Sequence, residues 1–255
     1  MNIVLSMGKI KGRLLLAGSM ILLALIVILL ISALNSDSLR KILIDYGTEY
    51  YPFTIQNAMW IFFFLAIGEL IYRFLHTRYT LYTLSMQLLP EKESVILTKD
   101  DTKDIYRRVR KLSRLQDDLP ALLKKLVLHF QSTSSIARTQ ELFDAQMDLK
   151  YNRMESDYSM IDYLTWVIPT FGFIGTVMGI SMALSFAAVS DPEAADFLKG
   201  LTQKLGVAFY TTLVALLMSA ILVFLRHIVE SYEEGSLFRL EEYVLDNFIN
   251  RLYQR

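Results

Sequence analysis

The sequence predicts an all-α membrane protein with four transmembrane helices, and three observations support this fold class. Hydrophobic residues make up 53% of the 255 residues, against about 45–50% in an ordinary soluble domain. These residues are gathered in four long segments that carry few or no charges, while the charged residues crowd the rest of the chain. Each segment is long enough to cross a membrane, since about 20 apolar residues in a helix span the roughly 30 Å core of a bilayer.

The first predicted hairpin joins the spans 14–34 and 53–75. A cleaved signal peptide is the alternative for 14–34, but its apolar run is longer than that of a typical signal and lacks a good cleavage site. Near the end of the second span, Glu69 and Arg73 stand four residues apart and share a helix face. Either Glu69 carries ions, or the two residues form an ion pair that reaches the headgroups; we favour the pair.

The second predicted hairpin joins the spans 163–189 and 205–225, and neither has an ionised residue in its centre. Segment 76–159 carries fourteen Lys and Arg residues, whereas the short link within each hairpin carries two. Because basic residues stay on the cytoplasmic side, we expect the large segment and both termini to be cytoplasmic.

The chain is therefore expected to contain four regions. These are an N-terminal segment with the first hairpin (1–75), a cytoplasmic helical region (76–160), the second hairpin (161–228) and a cytoplasmic C-terminal helix (229–255). Apolar residues at helical spacing predict long helical continuations of spans three and four that pack against the middle region. The predicted apolar faces comprise Ile105, Val109, Leu112 and Leu115, then Leu142, Phe143, Gln146, Leu149 and Met154, and finally Leu237, Leu240, Val244 and Phe248.

A basic run in the middle region allows two interpretations. It consists of Arg107, Arg108, Arg110 and Lys111. Such a run is either a contact for a cytoplasmic partner or anionic headgroups, or a solvated helix face with local salt bridges. We favour the solvated face.

Known catalytic and cofactor motifs are absent from the sequence. It has no phosphate-binding loop, hydrolase nucleophile elbow, zinc-helix motif or dinucleotide fingerprint. There is no cysteine, and the three histidines stand far apart, so a metal site is not expected. We expect neither an enzyme nor a bound cofactor, and a net charge of zero gives no reason to expect nucleic acid as a partner.

Small residues recur at three- and four-residue steps in both spans of the second hairpin, a pattern that lets transmembrane helices approach closely. They are Gly172, Gly175, Gly179, Ala183 and Ala187 in one span, and Ala208, Thr212, Ala215 and Ser219 in the other. Thr176 lies beside the first stripe and Thr211 beside the second. Their hydroxyls either bond back to their own helices in simple packing, or line a narrow polar path, since a hydroxyl both donates and accepts hydrogen bonds.

Residues 169–180, which read PTFGFIGTVMGI, resemble the third-span signature of the MotA/TolQ/ExbB proton-channel family, a proline followed by G-x-x-G-T-x-x-G. Thr211 and Thr212, followed by a small-residue helix, are similar to its second threonine element. The sequence departs from the family in having Ala215 where several relatives have glycine. It also lacks the proline that flagellar stators carry late in span four.

The resemblance implies a pentameric ring in the bacterial inner membrane around two single-span partner helices of the MotB/TolR/ExbD type. The partner supplies an essential aspartate, and ions flowing past it, protons in preference to Na⁺, rotate the ring as in a stator powered by the proton motive force. Thr176, Thr212 and Thr211 carry over as pore-facing hydroxyls and Pro169 as a hinge. The residues of spans three and four are consistent with an acid supplied by a partner, because a proton path lined only by hydroxyls must take its acid from another chain.

Two other classes of function are weighed against this motor subunit. A non-conducting scaffold that organises envelope partners would tolerate the replacement of Thr176 and Thr212 by valine. A secondary transporter would show an internal inverted repeat, but the two hairpins do not resemble each other in sequence.

Overall fold

The computed structural model describes residues 9–46, 51–91, 96–112 and 118–253, and the regular structure of these residues is helical. An isolated β-bridge joins Leu97 to Leu252. The predicted all-α class is confirmed. In chain order the helices are α1 (Lys9–Ser32), α2 (Asp37–Ile44), α3 (Ile55–Leu84), α4 (Asp101–Leu112), α5 (Asp118–Thr133), α6 (Ile136–Val189) and α7 (Phe197–Asn247), followed by a 3-10 turn (Ile249–Arg251).

Four of these helices, α1, α3, α6 and α7, are long and apolar enough to cross a membrane, as the sequence predicted. Helix α6 has 54 residues and α7 has 51, more than twice the roughly 20 that a crossing needs. Spans three and four therefore belong to helices that are much longer than a crossing, as the sequence predicted, and a cytoplasmic location of the extra length stays a prediction.

The chain divides into two compact units. The span unit comprises the described residues of 7–72 and 159–227. The helical unit comprises the described residues of 73–158 and 228–255.

In the first hairpin of the span unit, α1 packs against α3 through a glycine contact and an ion pair. A Cβ added at Gly68 would lie 2.7 Å from Cγ of Met20. Arg13 donates two hydrogen bonds to Glu69, and its guanidinium carbon lies 5.7 Å from the ring centroid of Tyr72. The predicted pairing of Glu69 with the arginine one turn along α3 is wrong, because packing of the two helices brings a distant arginine to the same carboxylate.

The link between α1 and α3 folds back onto this hairpin as helix α2. Ser36 caps its first turn. The indole Nε1 of Trp60 donates to the Leu43 carbonyl at 3.0 Å, and the Thr54 hydroxyl donates to the Ile44 carbonyl at 3.1 Å. Ile44 is fully buried in a cluster with apolar residues of α1. The end of α2 is thus bonded to the start of α3.

In the second hairpin, α6 and α7 run antiparallel with their small residues face to face. A Cβ added at Gly172 would lie 2.5 Å from Cβ of Ala215, and one added at Gly179 would lie 2.7 Å from the backbone nitrogen of Ala208. No side chain fits at such distances. The backbones approach this closely because these positions of α6 are glycine.

The core of the helical unit collects side chains from α4, α5 and the parts of α6 and α7 that belong to this unit. Phe130 and Phe143 are among its largest buried side chains. Leu115 lies outside the described residues, as does the side chain of Leu112. The apolar faces predicted for α4 and α7 are otherwise confirmed, with Ile105, Val109, Leu237, Leu240, Val244 and Phe248 all buried.

The apolar face predicted for the part of α6 that belongs to the helical unit is wrong at one position. Leu149 is 61% exposed, whereas Met147 is 2% exposed. The buried hydrophobic positions of this segment are Phe143, Met147, Met154 and Tyr158. Phe143 and Met154 are eleven positions apart, and so are Met147 and Tyr158. An eleven-residue repeat corresponds to about 3.67 residues per turn and keeps one face of a nearly straight helix aligned.

A buried arginine joins α3, α6 and α7 within the helical unit. Arg73 is 5% exposed and donates from Nε and Nη2 to the two carboxylate oxygens of Glu233, at 3.0 Å each. The guanidinium carbon of Arg73 lies 4.0 Å from the ring centroid of Tyr158. Nη2 of the arginine also donates to the Met154 carbonyl at 3.4 Å, and Nη1 lies 3.6 Å from a carboxylate oxygen of Asp157. The Tyr158 hydroxyl donates to Glu233 at 3.2 Å. The buried charges are therefore paired and hydrogen-bonded.

Burial and pairing act in opposite directions on the carboxyl of Glu233, which lies outside the predicted spans. Burial raises its pKa above the ordinary value, and the positive charge of Arg73 together with the hydrogen bond from Tyr158 opposes that rise. Burial also raises the pKa of the Tyr158 hydroxyl. The arginine is thus what makes a buried carboxylate tolerable at this position.

We expect Arg73→Leu to destabilise the helical unit by about 3–5 kcal/mol near neutral pH, because a buried carboxylate loses its partner. The loss should shrink as the pH falls toward the ordinary pKa of a glutamate carboxyl, since a carboxyl whose folded-state pKa is raised regains stability when it is protonated. The free energy of opening can be measured by hydrogen exchange of the amides in residues 228–247 of the full chain.

The matched control is the double variant Arg73→Leu/Glu233→Leu, which replaces the ion pair by an apolar pair. It should recover most of the lost stability and show little pH dependence. An equal loss in the single and double variants would mean that packing, and not the charge pair, accounts for the stability of this cluster.

We expect Gly179→Ala to destabilise the span unit by about 1–3 kcal/mol, because the added methyl group overlaps the backbone of Ala208 and forces α6 away from α7. Gly18→Ala in α1 is the control, since a Cβ there meets no described atom within 4 Å and should be neutral or stabilising by up to about 1 kcal/mol. Thermal unfolding in detergent can be followed by tryptophan fluorescence, as Trp60 and Trp166 both lie in the span unit. Equal effects of the two substitutions would contradict the close packing.

Candidate functional site

The candidate site lies inside the second hairpin of the span unit, where two threonine hydroxyls meet between α6 and α7. Thr176 Oγ1 and Thr212 Oγ1 are hydrogen-bonded to each other. Both side chains are half-buried. The segments 163–189 and 205–225, which contain them, carry no ionisable Asp, Glu, Lys, Arg or His residue. The pair is therefore a polar centre within two membrane segments that carry no charged residue.

Backbone carbonyls from both helices complete this centre. Thr176 Oγ1 lies 3.2 Å from the carbonyl oxygens of Gly172 and Ala208. Thr212 Oγ1 lies 3.0 Å from the Gly172 carbonyl and 3.4 Å from the Ala208 carbonyl. Each hydroxyl thus bonds to its own helix and to the facing helix, which is possible only because Gly172 and Ala208 keep the backbones close.

The two hydroxyls of the pair can accept further hydrogen bonds. Two hydroxyls hold two protons, of which one bridges the oxygens and the other is donated to a carbonyl. A hydroxyl oxygen has two lone pairs, so lone pairs remain on the two oxygens after the bridge is made. The pair can accept a hydrogen bond from water, hydronium or a protonated carboxyl, but it holds no group that would itself release a proton near neutral pH.

Thr211, the third threonine predicted for the ion path, occupies a different position. It is 1% exposed, and its hydroxyl donates to the carbonyls of Val207 and Ala208 in its own helix, at 3.2 and 2.9 Å. A Cβ added at Gly175 would lie 2.5 Å from its hydroxyl oxygen. The structure brings Thr176 and Thr212 together and places Thr211 in the helix contact beside them.

A second polar contact crosses the hairpin at the proline of α6. Pro169 lies inside the helix and has no N–H to donate to the carbonyl of Thr165, four residues earlier. The hydroxyl of Ser219 on α7 donates to that carbonyl at 3.2 Å. The sequence placed Ser219 only in a packing stripe and missed Thr165, although counting back four residues from the proline would have found it.

The predicted basic run belongs to α4 of the helical unit. Arg107, Arg108 and Arg110 are exposed, and Arg107 lies 3.2 Å from Asp104, with both side chains more than two-thirds exposed. The side chain of Lys111 lies outside the described residues. This arrangement fits the solvated face, and a contact role for the run stays a prediction.

The comparison with known proteins covers this hairpin. The model of the MotA/TolQ/ExbB proton channel family matches residues 115–241, about half of the chain. No curated protein and no solved structure matches the chain. The matched segment contains all of α6 and most of α7, and with them the hydroxyl pair and the proline. The chain belongs to the MotA/TolQ/ExbB proton channel family.

Proposed function

We propose that this chain is the ring-forming channel subunit of a rotary motor complex driven by the proton motive force. In this proposal, ions pass along the interface between the ring and a single-span partner that supplies the aspartate. The family consists of proton-channel subunits of ion-driven complexes in the inner membrane, and the ring, the partner and the rotary motion are our extension of that relationship.

The observation that carries the proposal is the hydroxyl pair of Thr176 and Thr212. A path for protons through the apolar layer needs groups that accept and pass on hydrogen bonds, and it needs a titratable group. The segments 163–189 and 205–225 of this hairpin offer the hydroxyls without an acidic or basic side chain. A carboxyl from a partner helix would supply the missing group, and the free lone pairs of the threonines would accept a hydrogen bond from its protonated form or from a water that passes the proton on.

The outer surfaces of the same two helices support an assembly. Val177 on α6 and Phe209 and Phe224 on α7 are each at least 66% exposed. Apolar side chains at membrane depth face lipid or another protein, and a ring of subunits around central partner helices uses both kinds of contact. We further propose that both termini and the long continuations of α6 and α7 are cytoplasmic, in line with the distribution of basic residues.

The decisive substitution is Thr212→Val, which keeps the shape of the side chain and removes its hydroxyl. We expect it to lower ion flux by about five- to thirtyfold, which corresponds to the loss of a hydrogen bond worth about 1–2 kcal/mol, while assembly is retained. The measurement is proton flux into vesicles that contain the chain and its co-purifying single-span partner. Thr202→Val is the matched control, because that exposed threonine of α7 bonds only to carbonyls of its own helix.

The competing function is a non-conducting scaffold that organises envelope partners. The packing of the hydroxyls against backbone carbonyls is compatible with this alternative as well. A scaffold predicts that Thr176→Val and Thr212→Val are both tolerated. If flux persisted with both threonines replaced, the pore role of the pair would be wrong.

The proposed assembly is tested separately by the symmetry of particles extracted in detergent. We expect a fivefold ring that retains a single-span protein with an aspartate at membrane depth. Electron microscopy of the particles with mass spectrometry of their subunits measures both features. A monomer or dimer without such a partner would contradict the motor proposal.

A further inference from the structure

We propose that Ser219 is a positioning residue whose hydroxyl replaces the backbone hydrogen bond that Pro169 removes from α6. Its contact with the Thr165 carbonyl holds α6 and α7 in the register that brings Thr176 and Thr212 together. This inference rests on the proposed function for its effect on ion flux, but the hydrogen bond itself is independent of that function.

The first step concerns the carbonyl. In a regular helix the carbonyl of Thr165 would accept from the N–H of residue 169, and proline has none. Thr165 lies in the first turn of the third span and is half-buried, and a backbone carbonyl that loses its partner in a buried contact is costly. The Thr165 side chain does not help, because its own hydroxyl donates to the Asp162 carbonyl at 2.8 Å. Ser219 supplies a donor at 3.2 Å, and both residues are half-buried.

The second step concerns the register of the hairpin. Glycine and alanine allow the helices to come close, but such smooth surfaces give little steric resistance to sliding. Polar contacts between the helices then fix how far one is displaced along the other. The bond from Ser219 lies about three turns from Thr176 along α6 and about two turns from Thr212 along α7. A slip of α6 at its proline would therefore change the distance between the two threonine hydroxyls.

The inference is tested first by a double-mutant cycle at Ser219 and Pro169. Hydrogen exchange in residues 163–180 of the complex is compared for the unmodified chain, Ser219→Ala, Pro169→Ala and the double variant. We expect Ser219→Ala to speed exchange by about three- to tenfold, the range for interhelical hydrogen bonds in membranes. In the Pro169→Ala background, which restores the backbone N–H, the same substitution should have no effect. An equal effect in both backgrounds, or none in either, would overturn the inference.

The positioning role is tested by ion flux through the same complex. Ser219→Ala should reduce flux, and Ser219→Thr, which keeps a hydroxyl, should preserve it. Ser19→Ala is the matched control, because that serine of α1 bonds to the Leu16 carbonyl of its own helix. Faster exchange with unchanged flux would reduce Ser219 to a structural role. Absence of flux in the unmodified complex would instead refute the proposed function. The hydrogen-exchange cycle would still show whether Ser219 replaces the hydrogen bond that Pro169 removes.

Discussion

The close approach of α6 and α7 is the constraint on which the rest of the span unit depends. Glycine at positions 172, 175 and 179 lets backbone meet backbone, and a single methyl group at any of them would collide with α7. In lipid, helix association gains little from the hydrophobic effect, so contact at short range and hydrogen bonds must supply the energy. The polar chemistry of the hairpin follows from this geometry, because only at this separation can one hydroxyl reach carbonyls of both helices.

The polar contacts in turn give the hairpin its specificity. Thr176 and Thr212 share a hydrogen bond and two carbonyls, and Ser219 satisfies the carbonyl that the proline leaves free. Each contact uses a small hydroxyl side chain that fits where a larger group would separate the helices. The same residues therefore serve packing and polar chemistry, which explains why the stripe pattern alone does not separate a scaffold from a channel.

The helical unit is stabilised by the burial of apolar side chains and not by close contact between helix backbones. Its core is a conventional apolar cluster of side chains from four helices, and Arg73 forms a buried charge network within the same unit. Desolvation offsets much of the attraction between buried charges, so such a network adds little net stability compared with an apolar cluster of the same shape. The bidentate contact with Glu233 and the ring of Tyr158 fix the mutual positions of α3, α6 and α7 within this unit.

The sequence by itself determined the class of protein, the four spans, the long continuous helices and the stripes of small residues. Each of these follows from the amino-acid composition of a segment or from the regular spacing of its residues. It also predicted the pairing of small faces that brings Thr176 and Thr212 into one hairpin. Only the tertiary structure decided the partners of individual polar groups: Glu69 binds Arg13, Thr211 turns to its own helix, and Ser219 caps a carbonyl. The physical reason is that a period fixes which face a side chain occupies, whereas a hydrogen bond depends on the distance and register between helices, and these are set by packing across the whole hairpin.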